Sequence, residues 1–420
     1  MEARLNKAFQ AAIDNKKLAG VGGIVLDKSG TILWKGGFGT TNALDASAAP
    51  FTIDTQTLIF SCTKLVTTIL ALQLLEEGKI ALDDPVEKYD PDFAKIQVLD
   101  GFDGEGKPIL RARKTKATIL NLMTHTTGFA YDFFSEKTLK YRIATGQTPA
   151  QTMSAGVKEN YAPPLEFDPG QEYSYGYNTD WIGFVIEAIT GKKLADVLEE
   201  RIVKPLQLKN TGRKFDEGKP RMNLHVRLED GNLFPLPDSK PLDDPEVNGG
   251  GEFIISTLAD YSQILLTLLN GGLHPILNVR ILKDETVKKY LFSDLISSIC
   301  SPANVGLIPQ SIAQMTNTGE MLPGVKKTWS AALLLNEEDT PTGRKAGSGA
   351  WAGLANTYYF VDPKSERLAV FTTSIIPFFD VESLYLFDEL ERAVYGHESK
   401  ESATAAGGNY GPWSPPKAAL

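Results

Sequence analysis

Phe60-Ser61-Cys62-Thr63-Lys64-Leu65-Val66 opens a helical run that continues Thr-Thr-Ile-Leu-Ala-Leu-Gln to residue 73. The spacing puts Ser61 and Lys64 on one face of the helix, one turn apart. A serine hydroxyl is a poor nucleophile until a base removes its proton. A lysine free in water, with a pKa of about 10.4, keeps its proton at neutral pH. Burial or a second proton-sharing group would release it for that work. A helix start also presents unpaired backbone N–H groups and positive potential, which favour a developing oxyanion. Serine at a helix start with lysine three residues on is equally an ordinary structural pattern, so the pair needs partners.

Two other segments offer them. Pro169-Gly-Gln-Glu-Tyr-Ser-Tyr175-Gly-Tyr177-Asn178-Thr-Asp-Trp181-Ile-Gly183 runs from a loop into a helix. A loop tyrosine there, Tyr175, is suited to bridge Ser61 and Lys64, with the lysine charge stabilising its phenolate. The competing explanation is a packed aromatic loop. Ala346-Gly-Ser-Gly-Ala-Trp351-Ala-Gly353-Leu354 leads into a strand at Thr357–Val361. Small residues on an edge strand let backbone N–H groups approach a bound acyl group closely. Its glycine spacing imitates a dinucleotide fingerprint, but a strand follows where a helix should. Ser348 is outside a G-x-S-x-G elbow, because Ala346 occupies the first glycine position.

Around these segments, residues 2–17 read as an amphipathic helix from Leu5, Phe9, Ala12 and Ile13. Val21–Asp27 and Thr31–Gly39 flank Lys28-Ser29-Gly30, and Thr357–Val361 and Leu368–Ser374 flank Asp362–Arg367, giving a hairpin near each chain end. Further helices are predicted at 62–77, 179–201 and 257–270, with a last one carrying Leu384, Phe387, Leu390, Ala393 and Val394. Lys79-Ile-Ala-Leu82 looks strand-like, and Asp83-Asp84-Pro85 reads as a capping turn. The expected fold is α+β: a central antiparallel sheet closed by both termini, flanking helices and an inserted, mainly helical lobe. The expectation is one catalytic unit over 1–396, with an α/β lobe from 1–60 and 255–396 and a helical lobe from 61–254. Residues 397–420 lack periodicity and are expected to be a disordered tail.

The chain has 420 residues, 42% hydrophobic and 23% charged, with a net charge of −9. Without a Lys/Arg-rich stretch it has no footprint for nucleic acid. Cys62 and Cys300 are too few for a disulfide framework and suit a reducing compartment. The polar start Met1-Glu2-Ala3-Arg4-Leu5 is unlike a secretory signal, and no apolar run approaches the ~18 residues of a membrane span. A cytoplasmic protein without membrane partners is expected. His125, His225, His274 and His397 have no partners at metal-ligand spacing, so neither metal nor cofactor is proposed. His125, in a Thr-His-Thr-Thr-Gly turn, reads as structural, and Cys62 as packed against the sheet.

Taken in order, these three segments resemble the class C β-lactamase and penicillin-recognising serine enzyme family. Leu122-Met-Thr-His125-Thr-Thr-Gly128 and Asn248-Gly-Gly-Gly251…Ser256-Thr257…Asp260-Tyr261 are similar to two further family segments, so the resemblance spans about residues 2–396. Within the family the chain looks most like the esterase and transesterase branch, including fungal acyltransferases that attach a short acyl chain to a polyketide alcohol. Ser61–Gln73, Gly101-Phe-Asp, Tyr175–Gly183 and Asp362-Pro363-Lys364 carry that likeness. The branch implies acylation of Ser61, Lys64 and Tyr175 as the acid/base pair, and an oxyanion hole of the Ser61 and Leu354 amides. It implies substrate contacts from Trp351, Gly353, Tyr177 and Asn178. The partners implied are a small-molecule acyl donor, or one on an acyl carrier domain, and an alcohol acceptor.

Two departures narrow the substrate. Trp351-Ala-Gly353 stands where the family has Lys-Thr-Gly, removing the cation and hydroxyl that would hold a β-lactam carboxylate. In the Tyr-x-Asn triplet, Tyr177 occupies the asparagine position and Asn178 falls one residue late. A serine acyltransferase or carboxylesterase is therefore expected, ahead of a β-lactamase or DD-peptidase-type hydrolase and of a non-catalytic binding protein on the same fold. Pocket walls are expected from 130–165 and 215–250, with Phe129, Tyr131, Phe133 and Phe134 suiting an apolar acceptor.

Overall fold

The computed structural model describes residues 1–150, 156–237 and 239–399. The tail expected to be disordered lies almost wholly outside these residues. The helices that frame the site are α1 (Glu2–Asp14), α2 (Thr63–Glu76), α3 (Asn178–Thr190), α4 (Leu258–Leu269) and α5 (Val381–Tyr395). The main sheet contains β1 (Gly20–Asp27), β2 (Ile32–Gly39), β3 (Lys327–Trp329), β4 (Leu334–Asn336), β5 (Gly349–Gly353), β6 (Thr357–Asp362) and β7 (Arg367–Thr372).

Its order is β3-β4-β5-β6-β7-β1-β2, with every neighbouring pair antiparallel. The two terminal hairpins join where β1 meets β7, with Gly22 opposite Thr372 and Asp27 opposite Arg367. Strand β6 is buried throughout and β7 nearly so, because helices cover both faces of the sheet. On one face Phe9 of α1 packs edge-on against Trp34 and Phe371, at 5.2 and 5.7 Å between ring centres. Phe387 of α5 stacks over Tyr358 at 5.1 Å. On the other face a Cβ at Gly22 would lie 3.0 Å from Leu258, so glycine there lets α4 approach.

Every residue of α2 from Thr63 to Leu72 is buried, its threonines and Lys64 included, because the helix is enclosed on all sides. It lies between the sheet layer and α3. Asn248-Gly-Gly-Gly251 threads between α2 and α3: a Cβ at Gly250 would fall 2.5 Å from Thr179 O and 3.1 Å from Thr67 Cγ2. Thr67 Oγ1 donates a 2.6 Å hydrogen bond to Gly250 O.

Three local expectations need correction. The helix expected over 179–201 breaks at Gly191, whose φ of +65° ends α3, and resumes at Leu194–Leu198. Lys79–Leu82 forms no strand; Asp84 closes a turn there by accepting the Ala81 N–H at 2.8 Å. Strand β5 is interior rather than an edge, but its ladder to β4 ends at Ala350. Trp351–Gly353 therefore keep one side free of strand pairing, which is the property the small residues suggested.

Candidate active site

A tight 3-10 turn, Phe60–Cys62, precedes α2 and carries Ser61. Phe60 is held at φ +44°, a conformation that costs a non-glycine residue about 1–3 kcal/mol. The first amides of such a turn lack partners within it, which leaves the Ser61 N–H available to an oxyanion. One turn on, Lys64 is 2% exposed. Its Nζ donates to Ser61 Oγ at 3.1 Å, Tyr131 OH at 2.9 Å and Gly251 O at 3.1 Å. Three acceptors match the three donors of an ammonium, fixing Nζ against the nucleophile.

Tyr131 was expected only as an apolar wall. Burial, reinforced by the Asp180 charge, raises its phenol well above the usual range, so its hydroxyl keeps its proton. That hydroxyl donates to Asp180 Oδ2 at 3.5 Å. Asp180, on the first turn of α3, is fully enclosed; burial pushes its carboxyl up, against the opposing pull of Lys64. Its Oδ1 accepts the Gly251 N–H at 2.9 Å. The only cue to Tyr131 in the sequence is its place three residues after the Thr-His-Thr-Thr-Gly turn.

Tyr175 lies beside the same lysine, with Nζ 4.9 Å from its ring centre. Its hydroxyl accepts a 2.8 Å hydrogen bond from the Trp351 indole N–H. Trp351 packs 4.9 Å from the Tyr175 ring and 4.6 Å from Trp329. His125 lies 4.7 Å from Tyr175 on the buried side. Burial, together with the charge of Lys64, lowers the His125 pKa well below the usual range, so the ring is neutral and accepts the Asn178 amide at 3.0 Å. A Cβ at Gly353 would fall 2.3 Å from Ile59 O, so glycine is what lets the end of β5 lie on the nucleophile turn.

Ser61, Tyr175, Trp351, Gly353 and Leu354 line one cavity of about 30 Å³. Phe133 and Phe134 line it from the helical lobe, and Ile308, Met321 and Phe378 from the sheet side. Residues 215–250 were expected to contribute and do not, because they line a different cavity. Phe129 is buried away from it, stacked on Trp181. Tyr177 and Asn178, expected as substrate contacts, do not line this cavity either. Tyr177 is fully buried with its hydroxyl accepting from Arg142 at 3.1 Å, and Asn178 is tied to His125 and Thr127. Cys62 is fully buried, and burial raises its thiol pKa far above the usual range, so it is no nucleophile. Among the described residues no helix is long and apolar enough to cross a membrane.

Comparison with known proteins agrees with this layout. The chain is 28% identical to monacolin J acid methylbutanoyltransferase of Aspergillus terreus, over 93% of this chain and 95% of that protein. It is 28% identical to lovastatin esterase of Penicillium rubens, over 87% and 91%. A mutant of simvastatin synthase from Aspergillus terreus superposes with a TM-score of 0.78 at 28% identity, covering 93% of this chain and 94% of that one. The model of the Beta-lactamase family matches residues 5–381; with Ser61 on the turn before α2 in contact with Lys64 in that helix's first turn, the chain belongs to the Beta-lactamase family.

Proposed function

We propose that this protein is a serine acyltransferase or carboxylesterase that works through an acyl-enzyme on Ser61. The observation that carries the reading is the 3.1 Å contact between Ser61 Oγ and the Nζ of a lysine buried to 2% exposure. In its neutral form Lys64 takes the Ser61 proton as Oγ attacks the carbonyl of an ester or thioester. The amides of Ser61 and Leu354 stabilise the tetrahedral oxyanion. Tyr175, oriented by Trp351, passes the proton to the leaving alcohol or thiol, and the carbonyl re-forms as the acyl-enzyme. An alcohol or water then attacks, its proton returns through the same groups to Ser61 Oγ, and the ester or acid leaves.

The aromatic, cation-free cavity supports a neutral acyl chain over a β-lactam carboxylate: Trp351 offers an indole to Tyr175 and no charge to a substrate. Similarity to a methylbutanoyltransferase and to a lovastatin esterase supports a short acyl group exchanged with a polyketide alcohol, the donor a small thioester or an acyl carrier domain. The test is intact-protein mass after mixing with a short-chain activated thioester, for wild type and Ser61→Ala in parallel. An acyl adduct on wild type alone is expected; turnover retained by Ser61→Ala overturns the reading. Product partition between a bulky alcohol and water then separates transferase from hydrolase.

A further inference from the structure

Asp180, 1% exposed, makes no direct ion pair among the described residues. A buried charge without a direct counter-ion is costly to keep. Part of the compensation is local, because Asp180 lies on the first turn of α3, where the helix dipole favours an anion. The rest comes from two donors, and both belong to groups that surround Lys64. Asp180 Oδ1 accepts the Gly251 N–H at 2.9 Å, and Oδ2 accepts the Tyr131 hydroxyl at 3.5 Å. Lys64 Nζ donates to the same two residues, to Gly251 O at 3.1 Å and to Tyr131 OH at 2.9 Å. Lysine, tyrosine, carboxylate and glycine thus close a ring of hydrogen bonds. Its centre has no room for a side chain: a Cβ on Gly251 would lie 2.7 Å from Lys64 Nζ and 3.0 and 3.1 Å from the two Asp180 oxygens.

The ring fixes the direction of each bond. A phenol has one proton to give. With Asp180 accepting it, the Tyr131 oxygen keeps its lone pairs for Nζ. With Asp180 holding the Gly251 N–H, the carbonyl of that residue stays turned toward Nζ. Nζ is tetrahedral, so its own side chain and these two N–H bonds leave one direction, which faces Ser61 Oγ at 3.1 Å. That direction carries a proton in the ammonium and the lone pair in the free amine, the pair that takes the serine proton. We propose that Asp180 is a positioning residue, which presents Tyr131 and Gly251 to Lys64 as acceptors and thereby aims the Nζ lone pair at Ser61. The proposal rests on Ser61 being the nucleophile and Lys64 its base.

Asp180→Asn keeps the shape but offers one acceptor oxygen to two donors. With that oxygen on Gly251, the amide N–H meets Tyr131, and the phenol proton turns toward Nζ. Turnover, read as kcat, should fall about 10–100-fold, as for the loss of one hydrogen bond to a charged group, with KM for a short-chain ester little changed. Intact-protein mass should show the Ser61 adduct forming more slowly by the same factor. Tyr131→Phe should cost less in the Asp180→Asn background than in wild type, because the phenol there has already ceased to act as an acceptor. A purely structural Asp180 would lower the melting temperature and leave the two costs independent. An unchanged kcat, or costs that multiply in full, overturn the proposal, and Asp180→Ser decides by the same readings if Asp180→Asn does not fold. Ser61→Ala run alongside separates the cases: retained turnover there defeats the catalytic reading itself, whereas lost turnover with a fully active Asp180→Asn defeats only the role of Asp180.

Discussion

The hydroxyl of Tyr175 accepts a 2.8 Å hydrogen bond from the indole of Trp351, 176 residues further along the chain. The tryptophan thus holds the tyrosine in one orientation against the cavity that both line with Ser61. Trp351→Phe keeps the ring packing and removes the N–H. A hydrogen bond is worth about 1 kcal/mol net, so kcat should fall about fivefold with KM little changed. Steady-state kinetics on a short-chain ester checks this; an unchanged kcat would show the bond to be incidental.

Lys64 donates to Tyr131 as well as to Ser61. Tyr131→Phe leaves its ammonium one acceptor short and takes the phenol from Asp180. Activity should fall about 100-fold, the low end of the range for an acid–base group, while the Ser61 adduct still forms slowly. Rapid-mix mass spectrometry of the acylation rate measures it.

Gly251→Ala aims a methyl group at the end of a flexible side chain, 2.7 Å from Lys64 Nζ, rather than at backbone. The fold should survive while Nζ is displaced from Ser61, and misplacement of about 1 Å costs about a hundredfold in rate. A melting temperature close to wild type with that loss of kcat/KM is the expected pair of results. An active Gly251→Ala would mean that the lysine tolerates displacement.

Burial lowers the pKa of His225 from the usual value near 6.5 to about 4, and its Nε2 accepts the Ala43 N–H at 3.1 Å. Between those two pH values the unfolded chain binds a proton that the folded chain does not. Stability from this group is therefore full above about pH 6.5, falls as the pH drops toward 4, and levels off below. His125 and His274 are lowered as well and act in the same direction. His225→Asn should flatten the pH dependence of urea stability in this window by up to about 1.4 kcal/mol per pH unit. Parallel curves for variant and wild type would exclude His225 as a contributor.

The local features were determined by the sequence alone, because each depends on spacing within one or two turns. Ser61 and Lys64 share a helix face by a three-residue interval, and the hairpins of β1–β2 and β6–β7 declare themselves by short polar turns between apolar runs. The α+β architecture followed from those hairpins lying near opposite ends of the chain. The tertiary structure decided what meets across long separations. Tyr131 reaches Lys64 from 67 residues away, and Asp180 joins them by packing α3 on α2. It also turned the side chains of Tyr177 and Asn178, neighbours of Tyr175 in the sequence, into the core to Arg142 and His125. Side chains one and two residues apart point in different directions where a loop enters a helix, and only the packing of the whole chain chooses which one meets the lysine.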